Sequence, residues 1–533
     1  MNAFPLIRNL EALRAQPFDV LVIGGGIYGA WTAFDAAQRG LKVALVEKTD
    51  WGSGTSQSSS KLIHGGLRYL EHYEFALVRH ALAERRVLSK VAPHLVRPLN
   101  VVVPVWKGAR VGRLQLLAGL TLYDFLATGK QPVPRFKSFS RTRLLAAHPS
   151  LEQSGLRGGL RYGDCQEDDA RMTLFVVAAA QAAGAVCANA VAAERLLFDG
   201  ERCVGAVLRD TETGDTFERR AGCVVNAAGP WAHRLPGATP PAVKLVKGVH
   251  LVLPAIPNLE DAFLLTAPED GRVFFVIPWN DRTLVGTTES SVLDVAEAVV
   301  TADETRYLLD AVNALMPGLR WTPDHVIGRF AGVRTLQADD ASSLSAVSRE
   351  FAVLEPQPGL IWSLGGKYTT ARCDAIELVD RVLASLGRPA VASRTESTPL
   401  PGAPHEVREL GDFTGWQVEA IAGLARRGIH AAIARSLTLR HGTGLSRIEA
   451  LIDENPAWGR RLHPETPFLA AEVVLAVRDE MARTVDDVVR RRLPLSLLVR
   501  DEPGWREAVA ALMTAAQAPP HSVATEPTAP QPG

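Results

Sequence analysis

The sequence has few cysteines, and they are dispersed: Cys165, Cys187, Cys203, Cys223 and Cys373, with no Cys-x-x-Cys pair. That spacing excludes the usual zinc and iron–sulfur ligand patterns and a disulfide framework, and it suits a reducing, cytosolic setting. No charge of one sign predominates. Lys plus Arg total 58 and Asp plus Glu total 58, so there is no global pull toward nucleic acid, and any electrostatic partner must act through a local patch. Long apolar runs are missing too. The longest uncharged stretch near the start, Val20 to Phe34, is glycine-rich and falls short of the ~20 apolar residues a membrane-spanning helix needs. Met1 to Pro17 carries Arg8, Glu11 and Arg14 and lacks the apolar core of a signal peptide. No internal repeat is visible.

Apolar material is ample. Hydrophobic residues make up 47% of a 533-residue chain, which implies two or three cores rather than one. Asp19 to Ile23 is a short apolar run that stops at glycines, the pattern of a buried parallel strand. Gly29 to Arg39 reads as a helix whose small Ala30, Ala33, Ala36 and Ala37 allow close packing on a sheet, with Gly40 as its stop. Lys42 to Val46 reads as a second strand, ending at Glu47.

Gly24, Gly26 and Gly29 therefore form Gly-x-Gly-x-x-Gly between a strand and a helix. The first glycine permits the tight turn, the second lets the backbone approach a pyrophosphate, and the third allows helix and strand to touch. The helix N-terminus offers unpaired N–H groups to phosphate. Glu47 is placed to accept hydrogen bonds from ribose hydroxyls. This unit specifies a dinucleotide without choosing between NAD and FAD.

Two later segments favour FAD. Val224 to Trp231 is an apolar strand ending in small residues, including Gly229, as expected of a strand returning past the cofactor. Gly365-Gly366-Lys367-Tyr368-Thr369-Thr370 pairs glycines with hydroxyls and suits backbone approach at the flavin's far end. Strands are also expected at Leu99 to Val105, around Leu251, at Val273 to Ile277 and at Thr283 to Gly286, in an antiparallel middle region. From about Pro401 the texture is helical. In Glu472 to Arg492, Val473, Val477, Met481, Val485 and Val488 recur at helical steps. Pro519 to Gly533 reads as a flexible tail.

The most specific string is Ser59-Ser60-Lys61-Leu62-Ile63-His64-Gly65-Gly66-Leu67-Arg68-Tyr69-Leu70-Glu71. It resembles the signature of the FAD-dependent glycerol-3-phosphate dehydrogenases. Further matches follow in order: Asp168-Asp169-Ala170-Arg171, Lys247-Gly248-Val249-His250, Gly286-Thr287-Thr288, Gly332-Val333-Arg334, Gly365-Gly366-Lys367 and Glu480 to Val488. Trp31, Thr335 and Gln166-Glu167 depart from the family's usual residues. Residues and resemblance together imply an α/β chain with three parts. A two-dinucleotide-fold FAD-binding domain takes 1–95, 150–240 and 325–395. An antiparallel β substrate domain takes 96–149 and 241–324. A helical C-terminal domain takes 401–518, followed by the tail at 519–533. The absence of cysteine after Cys373 sets the chain apart from the family's anaerobic, multi-subunit members.

The resemblance implies oxidation of sn-glycerol 3-phosphate to dihydroxyacetone phosphate, with hydride passing from C2 to FAD and electrons on to a quinone. The alternative is a related FAD-dependent oxidase that uses oxygen on another small substrate. Matching positions assign Arg68 and Arg349 to the phosphate, and Arg334 and Lys367 to the flavin and the reacting oxygen. Tyr69 and Thr288 are assigned to substrate oxygens. His64 and His250 are candidate bases because imidazole titrates near neutrality, with His250 preferred. Thr55, Ser59, Ser60 and Thr369 join the glycines as cofactor contacts, and no metal is implied. Asp168-Asp169-Ala170-Arg171 also reads as a helix start capped by aspartate.

Between Arg97 and Arg143 stand nine basic residues against one acid, Asp124, around the leucine-rich Leu114 to Leu126. A core helix with solvated flanks would give this pattern. So would an apolar face with a basic rim, suited to anionic membrane. The family's quinone acceptor favours the second reading, a peripheral protein on the inner face of the cytoplasmic membrane. The patch lacks aromatic stacking platforms, which argues against nucleic acid. A homodimer through the helical domain is a further expectation.

Overall fold

The computed structural model describes residues 4–237, 241–337, 351–404 and 410–517; the expected tail and Arg349 lie outside them. The apolar run at the start forms the strand Phe18–Ile23. It is hydrogen-bonded in parallel to Val43–Val46 on one side and to Thr216–Asn226 on the other. Leu360–Leu364 and Val186–Ala188 extend this sheet outward. A strand between parallel neighbours is covered on both faces, which is why its sequence is continuously apolar rather than alternating. Val20 and Val22 face a core shared with the helices Ile27–Gln38, Asp169–Ala182 and Ala371–Ser385. Leu21 and Ile23 face a second core beneath the hairpin Val191–Asp199 and Arg202–Asp210. Ala30, Ala33 and Ala36 are fully buried, so the helix Ile27–Gln38 lies close on its neighbours.

The second sheet is mostly antiparallel. Its order is Ser290–Val292, Val243–Pro254, Arg282–Gly286, Val273–Trp279, Ala262–Thr266, Val96–Trp106, Leu156–Glu167 and Leu62–Ile63. Gly328–Gln337 pairs along the length of Val243–Pro254. The helix Ala302–Leu315 packs into the core of this sheet. The expected boundaries at 150 and 325 need correction. Leu156–Glu167 and Gly328–Gln337 both pair within the second sheet, although the sequence placed them with the first. The reason is long-range register: Leu156–Glu167 returns against Val96–Trp106 after an excursion of some fifty residues, and composition does not mark such a pairing. The chain re-enters the first domain at Asp168, whose carboxylate accepts from Arg171 N at 3.1 Å and caps Asp169–Ala182, as the sequence suggested.

The C-terminal part is helical: Leu410–Arg426, Ala431–His441, Leu445–Glu454, Ala470–Asp479 and Trp505–Gln517. The periodic segment Glu472 to Arg492 is not one helix. It stops at Asp479, reverses through Met481 at φ +56°, and resumes at Asp487–Arg492. The Asp487 carboxylate accepts from Arg483 N and Thr484 N, both at 2.8 Å, and so ties the new start. The apolar period survives the break because Val473 and Val488 face the same core.

Buried ion pairs join this part to the rest. Arg171 meets Glu480 at 2.9 Å, and Asp50 meets Arg492 at 2.8 Å. Within the helical part, Glu472 accepts from His441 Nε2 at 2.8 Å and from Arg440 Nε at 2.9 Å. Burial would raise the Glu472 carboxyl, but Arg440 and His441 outweigh it and hold the group at about 2, below its ordinary 4.5. A depressed carboxylate stabilises the fold above its unfolded pKa, and that contribution is lost as pH falls from 4.5 toward about 2. Glu472→Gln is expected to cost roughly 3 kcal/mol at neutral pH, because it leaves buried cations without a counter-charge. Its melting temperature should also respond less than that of the wild type to acid. Thermal unfolding followed by circular dichroism at neutral and acid pH checks both.

Candidate active site

The glycine turn sits at the carboxyl end of Phe18–Ile23. Gly24 has φ +109°, and a Cβ there would meet the Ala227 carbonyl oxygen at 2.5 Å. A Cβ on Gly29 would meet the Gly24 carbonyl oxygen at 1.9 Å, so Gly29 provides the helix–turn contact from beneath rather than lining the cavity. Gly25, outside the motif spacing, is equally constrained, since a Cβ there would lie 2.5 Å from the Trp51 ring. Glu47 Oε2 accepts from Gly25 N at 2.8 Å and Oε1 from Thr49 N at 3.0 Å. The carboxylate thus braces the turn while it faces the cavity, and burial raises its pKa.

A cavity of about 510 Å³ begins at Gly24, Gly26 and Glu47. Thr55, Ser59, Ser60, Gly229, Gly366 and Thr369 all line it. Several of their hydroxyls are engaged within the protein. Thr55 Oγ1 donates to Val333 O at 2.5 Å, Ser59 Oγ to Asp169 Oδ2 at 2.7 Å, and Ser60 Oγ lies 2.9 Å from His250 Nε2. Ser56, not singled out from the sequence, accepts from Ile27 N at 2.9 Å at the helix start. Gly366 has φ +83°, and a Cβ there would strike the Tyr28 hydroxyl.

At the other end, distant parts of the chain bring three cations together. Arg68 lies on the turn Leu67–His72, Arg334 on Gly328–Gln337, and Lys367 just before Tyr368–Thr370. Arg334 Nη1 is 3.3 Å and Arg68 Nη2 3.9 Å from the same oxygen, Oε1 of Glu289. Lys367 Nζ sits 3.3 Å from the centre of the Tyr69 ring, and the Arg68 guanidinium lies 6.0 Å from that ring. Glu289 was missed from the sequence; the available signal was its place directly after Gly286-Thr287-Thr288. Thr288 is corrected. It is buried, its Oγ1 accepts from Val249 N at 3.2 Å, and Thr287 lines the cavity instead.

The two histidines differ. His250 is buried and stacks on Phe330, with ring centres 4.9 Å apart. Burial first, then Arg334 and Lys61, push it down to about 3. An imidazole so reluctant to take a proton is a weak base, which counts against the preference for it. His64 is half-buried, lines the cavity near Phe275, and has its main-chain N–H bonded to Thr369 Oγ1 at 3.2 Å.

The family model for FAD dependent oxidoreductases matches residues 19–372, and the one for the C-terminal domain of alpha-glycerophosphate oxidase matches 393–517. Glycerol-3-phosphate dehydrogenase 2 of Mycobacterium tuberculosis is 38% identical over 493 residues, covering 91% of this chain and 82% of that protein. The chain belongs to the FAD-dependent glycerol-3-phosphate dehydrogenase family. The glycerol-3-phosphate dehydrogenase of Synechocystis is 36% identical, covering 93% of this chain and 92% of its own length. Among solved structures, the glycerol-3-phosphate dehydrogenase from Bacillus halodurans complexed with FAD superimposes with a TM-score of 0.76 at 29% identity, over 94% of this chain and 91% of that one.

This chain is therefore an oxidoreductase of that family, and its cofactor is FAD. The residues present fit the group. Gly24 and Gly26 would leave the helix start open to the pyrophosphate, and Glu47 would face the ribose. Gly366, which has no room for a side chain, would let main chain approach the flavin beside Lys367.

Proposed function

We propose that this enzyme oxidises sn-glycerol 3-phosphate to dihydroxyacetone phosphate and passes the electrons on to a quinone. The observation that carries this reading is the convergence of Arg68 and Arg334 beside Lys367, at the far end of a cavity that begins with a dinucleotide cradle. A phosphate monoester carries close to two negative charges, and planar guanidinium forks bind it with fixed geometry. A substrate carrying a single carboxylate has less need of such a cluster, since one guanidinium fork matches it.

In this reading Arg68 and Arg334 hold the phosphate end. Lys367, held against the Tyr69 ring, faces the C2 oxygen and stabilises negative charge that develops there. His64 receives the hydroxyl proton. His250 stays neutral and orients Ser60. Leu264, Val273 and Phe275 line the cavity and limit water near the reacting carbon. FAD, when bound, supplies the hydride acceptor. Anaerobic stopped-flow absorbance tests the substrate. The flavin band should bleach rapidly with sn-glycerol 3-phosphate and not with glycerol or lactate. No bleaching of FAD-loaded protein by the phosphate ester would overturn the assignment.

A surface next to the site supports a membrane quinone as acceptor. The helix Arg113–Leu126 buries Leu116, Leu120 and Tyr123, yet Leu114 and Phe125 are 82% and 81% exposed. Tyr73 and Phe75, exposed at the end of the turn that carries Arg68, add to the apolar surface on this side. Arg110, paired with Glu71 at 2.8 Å, and Arg113 provide basic charge beside it. Such a face suits shallow insertion into an anionic leaflet. Among the described residues no helix is long and apolar enough to cross a membrane. The variant Leu114→Glu with Phe125→Glu should no longer float with anionic vesicles at low salt, while keeping its activity with a soluble dye acceptor. Equal flotation of variant and wild type would refute the surface. Stoichiometric peroxide in place of quinone reduction would favour the oxidase alternative.

A further inference from the structure

We propose that Glu289 is a positioning residue that locks Arg68 and Arg334 into one anion-binding fork and tunes the charge of the site to a phosphate dianion. The inference rests on the substrate reading above. Glu289 is almost wholly buried, with a side chain 4% exposed, and a single oxygen, Oε1, faces both guanidiniums, at 3.3 Å from Arg334 and 3.9 Å from Arg68. Two half-buried cations facing one point repel each other, and an anion between them offsets that repulsion. The carboxylate therefore contributes to their orientation.

The carboxylate is itself held. The main-chain carbonyl of Glu289 accepts from Arg272 Nη1 at 2.9 Å, and the strand Ser290–Val292 follows at once, paired with Val243–Pro254. Arg334 comes from Gly328–Gln337, which pairs with the same long strand, Val246 opposite Arg334 and Lys247 opposite Ser290. Glu289 directly precedes Ser290–Val292 and Arg334 lies on a strand beside the same long neighbour, whereas Arg68 lies on the turn that follows Leu62–Ile63, at the other edge of the sheet order. The carboxylate joins that turn to Arg334.

Charge matters as much as direction. Arg68, Arg334 and Lys367 face this part of the cavity, and the Glu289 carboxylate offsets part of their positive charge. Without Glu289 the site would attract small anions more strongly and hold the substrate less precisely.

The test uses the FAD-loaded enzyme and the variants Glu289→Gln and Glu289→Asp, with inorganic phosphate as the probe. Glu289→Gln is expected to bind phosphate about tenfold more tightly, read from perturbation of the flavin spectrum, and to lower the rate of flavin reduction at saturating sn-glycerol 3-phosphate by about tenfold. Glu289→Asp keeps the charge and should restore phosphate affinity to near the wild-type value. A merely structural role would lower stability in Glu289→Gln and leave phosphate affinity unchanged, and that result overturns the proposal. So would wild-type behaviour of Glu289→Gln in both measurements. If the wild-type flavin is not reduced by sn-glycerol 3-phosphate at all, the substrate reading fails by itself, and the phosphate titrations still decide the role of Glu289.

Discussion

Arg334→Ala is expected to keep its FAD and to lower kcat/KM for flavin reduction by sn-glycerol 3-phosphate by about a thousandfold, the scale of losing a cation that both binds the phosphate and places the reacting carbon. The side chain is 30% exposed, so truncation opens no core cavity. The main chain at Arg334 stays fixed by its pairing with Val246. The glycine cradle lies at the opposite end of the cavity and should be untouched. Loss should fall on KM as well as on kcat, because a phosphate contact both binds the substrate and aligns C2 for hydride transfer. Arg334→Lys should recover only part of the rate, since an ammonium cannot reproduce a planar fork. The ratio of flavin to protein absorbance gives the loading, and anaerobic stopped flow gives the rate. A fully loaded Arg334→Ala protein reduced at the wild-type rate would remove Arg334 from the chemistry.

Gly24→Ala is expected to weaken FAD binding at least about a hundredfold, and most of the purified protein should be colourless. The added methyl meets the Ala227 carbonyl oxygen at 2.5 Å and Ala228 Cα at 2.9 Å, and it must adopt φ +109°. Neither obstacle is a flexible side chain. Relief requires moving the turn, and the turn carries the helix start that faces the pyrophosphate. Gly40→Ala is the control. Gly40 also has positive φ, +84°, but nothing lies within 4 Å of its would-be Cβ. That variant should lose about 1 kcal/mol of stability and keep its flavin. A yellow, stoichiometrically loaded Gly24→Ala protein would show that the close approach is not needed.

Much of the fold was legible because its signals are local. A strand buried on both sides must be continuously apolar, and Phe18–Ile23 is. A turn that lets main chain approach a pyrophosphate must lack side chains, and Gly24 and Gly26 do. A helix beginning at Asp169 needs an acceptor just before it, and Asp168 supplies one. Matching positions also placed Arg68, Arg334, Lys367, Tyr69 and His64 around one cavity. Family membership was readable from the same strings, and the comparisons agree with it.

Other features depend on contacts between distant residues. Leu156–Glu167 looks like any apolar strand, and only its register against Val96–Trp106 assigns it to the second sheet. The helical period from Val473 to Val488 continues across a reversal at Met481 because both halves face one core. Thr287 and Thr288 are adjacent and chemically alike; in the link between Arg282–Gly286 and Ser290–Val292 one lines the cavity and the other bonds Val249. His250 is an ordinary histidine in sequence, and its burial beside Arg334 and Lys61 makes it a weak base. Glu289 is marked locally only by its place after Gly286-Thr287-Thr288, and its meaning lies in two arginines that stand far from it along the chain. The sequence alone thus settles the glycine turn and the cofactor class, since a few neighbouring residues decide each. Which carboxylate faces which cation, and how basic a given imidazole is, follow from desolvation and distance, and these arise only when the two sheets close on each other.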